Sequence, residues 1–65
     1  MSNIAKTLRK LREAKGLSQE KLARLADVAN NTIIKIEAGK NHNPTLDTLK
    51  KIAEALEVSV DDLIK

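Results

Sequence analysis

Ile4, Leu8 and Leu11 stand at i, i+4 and i+7 in an otherwise polar run, a spacing that puts all three on one face of a helix. With Ser2 or Asn3 as its cap, the pattern predicts a first amphipathic helix over residues 3–15. Gly16 closes it, since glycine tolerates the left-handed conformation at a helix end, and Leu17 follows as the apolar contact. Ser18 then precedes Gln19 and Glu20, a hydroxyl cap with an acidic first turn, and Leu22, Ala23, Leu25 and Ala26 carry a short second helix. After a break at Asp27-Val28-Ala29, a third helix is predicted from Asn30 to Ala38, with Ile33 and Ile36 inward and Gly39 as its stop. Lys40 to Pro44 has turn composition and reads as a loop. Thr45 caps a fourth helix whose Leu46, Leu49, Ile52, Ala53 and Leu56 form a wide apolar stripe. Ser59 with Asp62 resembles a capping box, Asp replacing the usual Glu, and opens a short last helix through Leu63 and Ile64. No strand alternation, repeat or linker interrupts the pattern, so the expected class is all-α, five helices in one domain over residues 1–65.

Composition narrows this further. At 65 residues the chain is near the lower limit for folding without a staple. It has no Cys, and the lone His42 cannot by itself form a structural metal site, so neither a disulfide nor a metal is expected. No apolar run approaches the ~20 residues of a membrane span, and residues 1–15 lack the apolar stretch of a secretory signal. The reading is a soluble intracellular protein. There is no nucleophile–base set, no glycine-rich phosphate loop and no ligand cluster, and Asp61-Asp62 looks like helix-start chemistry; an enzyme and a cofactor are not expected.

Charge adds a direction. Residues 1–24 hold seven Lys and Arg against Glu13 and Glu20, whereas residues 45–65 hold three Lys against five acids. Such a chain would be oriented in the field of a polyanion, although a charged solvated surface explains the same pattern. With no Phe, Tyr or Trp, stacking of unpaired bases is excluded as a source of affinity. If the partner is a nucleic acid, double-stranded DNA fits better. The stretch Gln19–Ala38 supports that choice: two short helices, a tight turn, the small Ala23 where they must cross, and Leu22, Ala26, Val28, Ile33 and Ile36 as shared core. This spacing leaves the outer face of the second helix of the pair free to enter a major groove.

The run from Leu11 to Ala23, LREAKGLSQEKLA, then Thr32 to Gly39, TIIKIEAG, then Asn43 to Leu49, NPTLDTL, closely resembles the lambda-repressor-like helix-turn-helix family, which includes phage repressors, Cro proteins and xenobiotic-response-element regulators. The ending Leu56 to Ile64, LEVSVDDLI, is similar to that family's last turn. Three positions depart from the pattern: Asp27 where the turn usually has Gly, Ala29 where Ser or Thr usually caps the next helix, and Glu57 where Gly or Asn often ends the fourth. They imply a turn below its stability optimum rather than another fold.

The resemblance implies a five-helix DNA-binding domain with the helix-turn-helix formed by helices 2 and 3, and a sequence-specific cytoplasmic transcriptional regulator of prokaryotic or phage-encoded origin. It makes the third helix the recognition helix and presents Asn30 and Asn31 to base edges; an Asn carboxamide can bond adenine in two places, while the alternative for either residue is to cap the helix. Lys35 is expected to reach a guanine or a phosphate, and Ile34 to touch a thymine methyl or else pack against a neighbouring helix. Gln19 matches the family position that bonds a phosphate, helped by the amides of its helix start. Arg9, Lys10, Lys40, Asn41 and Asn43 are the further phosphate candidates, with surface solvation as the alternative for each. Arg12 and Glu37 match positions that pair beneath the recognition helix. Because one short module reads few bases, a homodimer on a palindromic operator is expected, with Val60, Leu63 and Ile64 as apolar surface for the second copy. The competing reading is a protein-interaction module, such as the antitoxin half of a toxin–antitoxin pair with autoregulatory DNA binding; it is disfavoured by the little sequence left outside the domain.

Overall fold

The computed structural model describes residues 3–41 and 43–64; the Ser2 cap candidate and His42 lie outside the described residues. Five helices follow in order: α1 Ile4–Ala14, α2 Gln19–Ala26, α3 Asn30–Glu37, α4 Leu46–Leu56 and α5 Val60–Ile64. No strand occurs among the described residues, and no helix there is long and apolar enough to cross a membrane. The expected bounds hold to about a residue, which is the uncertainty of any helix end.

The starts are held by the side chains expected from the sequence. Asn3 Oδ1 accepts from the Lys6 amide (3.2 Å), Ser18 Oγ from Lys21 (3.0 Å) and Thr45 Oγ1 from Thr48 (3.2 Å), each satisfying a donor that the helix leaves orphaned. Ser59 and Asp62 form the reciprocal box: the Asp62 amide donates to Ser59 Oγ and the Ser59 amide to Asp62 Oδ2, both at 3.1 Å. α3 is the exception, because Ala29 at its cap has no side chain to offer.

Four helices end on one device. A residue of positive φ is followed by an amide that reaches back to the carbonyl five positions earlier: Leu17 to Arg12 (3.1 Å), Val28 to Ala23 (3.0 Å), Lys40 to Lys35 (2.9 Å) and Val58 to Ala53 (3.0 Å). Leu17, Val28 and Val58 also pack against the core, so each closing bond comes with an apolar contact. Gly16 and Gly39 take the positive φ freely. Asp27 (φ 57°, ψ 46°) and Glu57 (φ 60°, ψ 40°) take it against the steric preference of an L side chain.

Every helix contributes to the core. Leu8, Leu22, Ile33, Ile36, Ile52, Leu56 and Leu63 are fully buried, and the small Ala23, Ala26 and Ala53 are buried among them. α2 packs on α3 and α4, α1 packs on α3 and α5, and α5 closes against α4. Two expectations change here. Leu46, counted in the apolar stripe of α4, sits at its first residue, ahead of the buried turn, and is 59% exposed. Leu63, expected as surface for a second copy, is 0% exposed. A core this small needs one large side chain from its shortest helix, and Leu63 supplies it.

The two strained helix ends yield the first prediction. Asp27→Gly removes a left-handed penalty of roughly 1–2 kcal/mol and adds unfolded-chain entropy of about 0.5–1 kcal/mol, so it should be neutral or stabilising by several tenths of a kcal/mol. Asp27→Ala should destabilise. Thermal unfolding followed by circular dichroism checks the order Gly ≥ Asp > Ala.

Candidate nucleic-acid interface

α3 divides its residues by period. Ile33, Ile36 and Glu37 face inward and are buried, while Asn30 and Ile34, then Asn31 and Lys35, form i, i+4 pairs along the outer side. Asn30, Asn31 and Lys35 are exposed and none of their side chains takes a hydrogen bond within the described fold. Neither Asn replaces the missing cap of α3, so the capping alternative is not what the fold adopts. Ile34 is 38% exposed and does not belong to the buried core. The outer face thus offers two carboxamides, an aliphatic side chain and an ammonium, none of them needed by the core.

Beneath this helix lies the buried charge. The Glu37 side chain is 1% exposed, and three side chains from other elements converge on it. Arg12 of α1 forks onto both oxygens, Nε to Oε2 at 2.6 Å and Nη2 to Oε1 at 3.0 Å. Gln19, the first residue of α2, donates Nε2 to Oε1 at 3.0 Å. Arg9, one turn before Arg12, brings Nε to 3.5 Å from Oε1 and donates Nη2 to the Glu37 carbonyl at 3.4 Å. Arg12 Nη1 also donates to the Leu17 carbonyl at 2.7 Å, while its own carbonyl accepts the Leu17 amide, so the same residue locks the α1–α2 turn.

A buried carboxylate is tolerable because of these donors. Desolvation pushes the Glu37 carboxyl up, but the hydrogen bonds from Arg12, Gln19 and Arg9 and the Arg12 charge together outweigh it, and the group is held below the ordinary carboxylate range. The Arg12 guanidinium is pushed further up by its bond to Glu37, against the opposing effect of burial. Among the described residues no buried side-chain polar atom lacks a hydrogen-bond partner.

The expected Arg12–Glu37 pair is therefore present, but the resemblance treated Gln19 and Arg9 as phosphate candidates alone and missed their bonds to Glu37. Their spacing held a signal: Arg9 lies three residues before Arg12 and so shares its helix face. Of the remaining candidates, Lys10 is exposed and lines a shallow groove on α1 with Asn3, Lys6, Thr7, Arg9 and Glu13. Lys40 and Asn43 are exposed after α3, and Asn41 is half-buried with Oδ1 accepting the Asn43 amide at 3.2 Å. Val60 is half-buried against the core and Ile64 is 41% exposed, at the far end of the chain.

A short α2, a left-handed turn at Asp27 and an α3 packed against α2 define a helix-turn-helix domain. A helix-turn-helix family model matches residues 8–63, and the chain belongs to that family, in its lambda-repressor-like branch. It is 39% identical over 64 residues to the HTH-type transcriptional regulator RghRB of Bacillus subtilis, covering 98% of this chain and 46% of that protein. Among solved structures it is similar to the restriction-modification controller protein C.AhdI from Aeromonas hydrophila, at 36% identity and a TM-score of 0.89, over 97% of this chain and 94% of that one. It is also similar to SinR, described as the master regulator for biofilm formation and solved in complex with DNA, at 35% identity and a TM-score of 0.89, over 92% and 95% of the two chains. The chain spans about half the length of the curated relatives it matches. Those relatives are named as regulators of transcription, which agrees with the expectation that the chain is not an enzyme.

Two measurements test the buried cluster. Arg12→Ala and Glu37→Ala should each cost about 3 kcal/mol, and the double variant should fall well short of their sum, since the second change strands no further charge; urea unfolding of the four proteins checks it. Because the folded pKa of Glu37 lies below its unfolded value, its stabilisation is complete above about pH 4.3 and is lost as pH falls through the lower folded value. Glu37→Gln should start less stable at neutral pH and lose less on acidification, as read from melting temperature against pH.

Proposed function

We propose that the chain is a sequence-specific double-stranded DNA-binding domain of a transcriptional regulator, reading its operator with the outer face of α3. The observation that carries this reading is that Asn30, Asn31, Ile34 and Lys35 are presented together and left unused by the fold. Asn30 and Asn31, at the start of the helix, are the base readers, each able to pair in two places with adenine; Lys35 meets a guanine or a phosphate, and Ile34 a thymine methyl. Gln19, at the amide-rich start of α2, bonds a backbone phosphate, and Arg9, Lys10, Lys40, Asn41 and Asn43 extend that contact on either side of α3. Its similarity to a chain solved on DNA supports this reading, as do the basic residues gathered before residue 25. The bacterial source of its relatives supports a prokaryotic cytoplasm as its setting.

The working unit is a homodimer on a near-palindromic operator, its half-sites about one helical turn, roughly 34 Å, apart. With Leu63 inside the core, the surface for the second copy reduces to Ile64 and the exposed edge of Val60 on the short acidic helix that packs against α4 and α1.

Asn30→Ala should weaken the operator selected from a random DNA pool by about 1–3 kcal/mol and leave random duplex nearly untouched. An equal loss on both would remove Asn30 from the base-reading set. Ile64→Glu should keep the fold, sediment as a monomer and bind the operator far more weakly than one lost contact explains, because the half-sites are no longer linked. A wild-type monomer protecting a single asymmetric half-site in footprinting would overturn the dimer.

A further inference from the structure

Glu37 does more than balance one arginine. Its Oε1 lies 3.0 Å from Gln19 Nε2 and 3.5 Å from Arg9 Nε, so two side chains from different helices, both outside α3, meet at one oxygen of the helix that reads DNA in the reading above. A carboxylate only accepts, so the Gln19 carboxamide must turn its nitrogen inward, and one of the two N–H groups on that nitrogen is left over. Arg9 likewise has Nε and Nη2 engaged, while Nη1 with its two N–H groups is left over on a side chain that is 54% exposed. Two guanidinium groups face the one buried carboxylate, and Arg9 is the outer, more exposed of the two. A free Gln and a free Arg would each have to be ordered on binding, at a cost in rotamer entropy; here both are already held on one carboxylate oxygen, each with a donor to spare.

Resting on the DNA-binding reading, we propose that Glu37 is a positioning residue for backbone contact: it holds Gln19 and Arg9 so that their remaining donors converge on one phosphate of the duplex. Arg12, the buried partner, keeps the carboxylate ionised and in place. Glu37 thus sets the position of the phosphate clamp relative to α3 and touches no DNA itself.

The test measures affinity for the selected operator and for random duplex, with active fraction fixed by stoichiometric titration. Glu37→Gln should lower the affinity of active molecules about tenfold on both DNAs alike, the worth of a charge-assisted hydrogen bond. The same substitution made in an Arg9→Ala, Gln19→Ala background should produce no further loss, because the groups it positions are gone. A loss confined to the operator would assign Glu37 to the tilt of α3 and overturn the proposal. So would a full tenfold loss persisting in that background, or a change in active fraction alone. If Glu37→Gln does not fold, the cycle of Arg9→Ala with Gln19→Ala decides: a shared phosphate predicts a combined loss well below the product of the two single losses, and multiplicative losses overturn it. Wild-type protein that binds no duplex at all would instead overturn the DNA-binding reading itself.

Discussion

Glu37 sits at the last turn of α3 with a side chain that water does not reach, and an ionised carboxylate in that position survives only if donors surround it. Those donors come from α1 and from the first residue of α2, so satisfying one charge requires three helices to hold a common arrangement. Hydrophobic burial supplies most of the drive to collapse, but it is non-directional and would tolerate several tilts of α3 on the core. The forked Arg12 bond and the Gln19 bond are directional. A tilt of α3 that pulled the carboxylate off these donors would strand a buried charge, so they penalise any packing that turns the outer face of α3 another way.

The connection between the helices follows the same economy. Each of the first four helices ends by turning left-handed and sending an amide back to its last full turn, with an apolar residue following at three of the four ends. With ends of this kind a chain of 65 residues changes direction four times and still buries a large side chain from every helix. Two of the four ends use Asp27 and Glu57 instead of glycine. Glu57 also meets Lys15 from the end of α1, and that contact, with the charge it brings, holds its carboxyl below the ordinary range although the pair is exposed. A solvent-screened pair of this kind adds little to stability; behind Glu57, Val58 closes the helix end with its amide bond to Ala53 and packs against the core.

Five helices, the caps of four of them and the inward side of α3 were legible in the chain, because each is set by neighbours within a turn or two, a hydroxyl three residues before an amide or apolar residues at helical spacing. That Asp27 stands in the left-handed place of a glycine, and that the outer side of α3 is the reading face, came from the resemblance. The identity of the Arg12–Glu37 pair was legible only through resemblance, since nothing local links positions 25 apart. Tertiary structure decided the rest. It brought Gln19 and Arg9 onto the carboxylate that Arg12 already occupied, because α1 and the start of α2 both pass the end of α3. It also took Leu63 into the core and left Leu46 outside, since a periodic pattern marks which side chains share a face but not where the neighbouring helix ends. Local chemistry therefore determined the elements, and the close approach of three helices around one buried charge determined what their surfaces present.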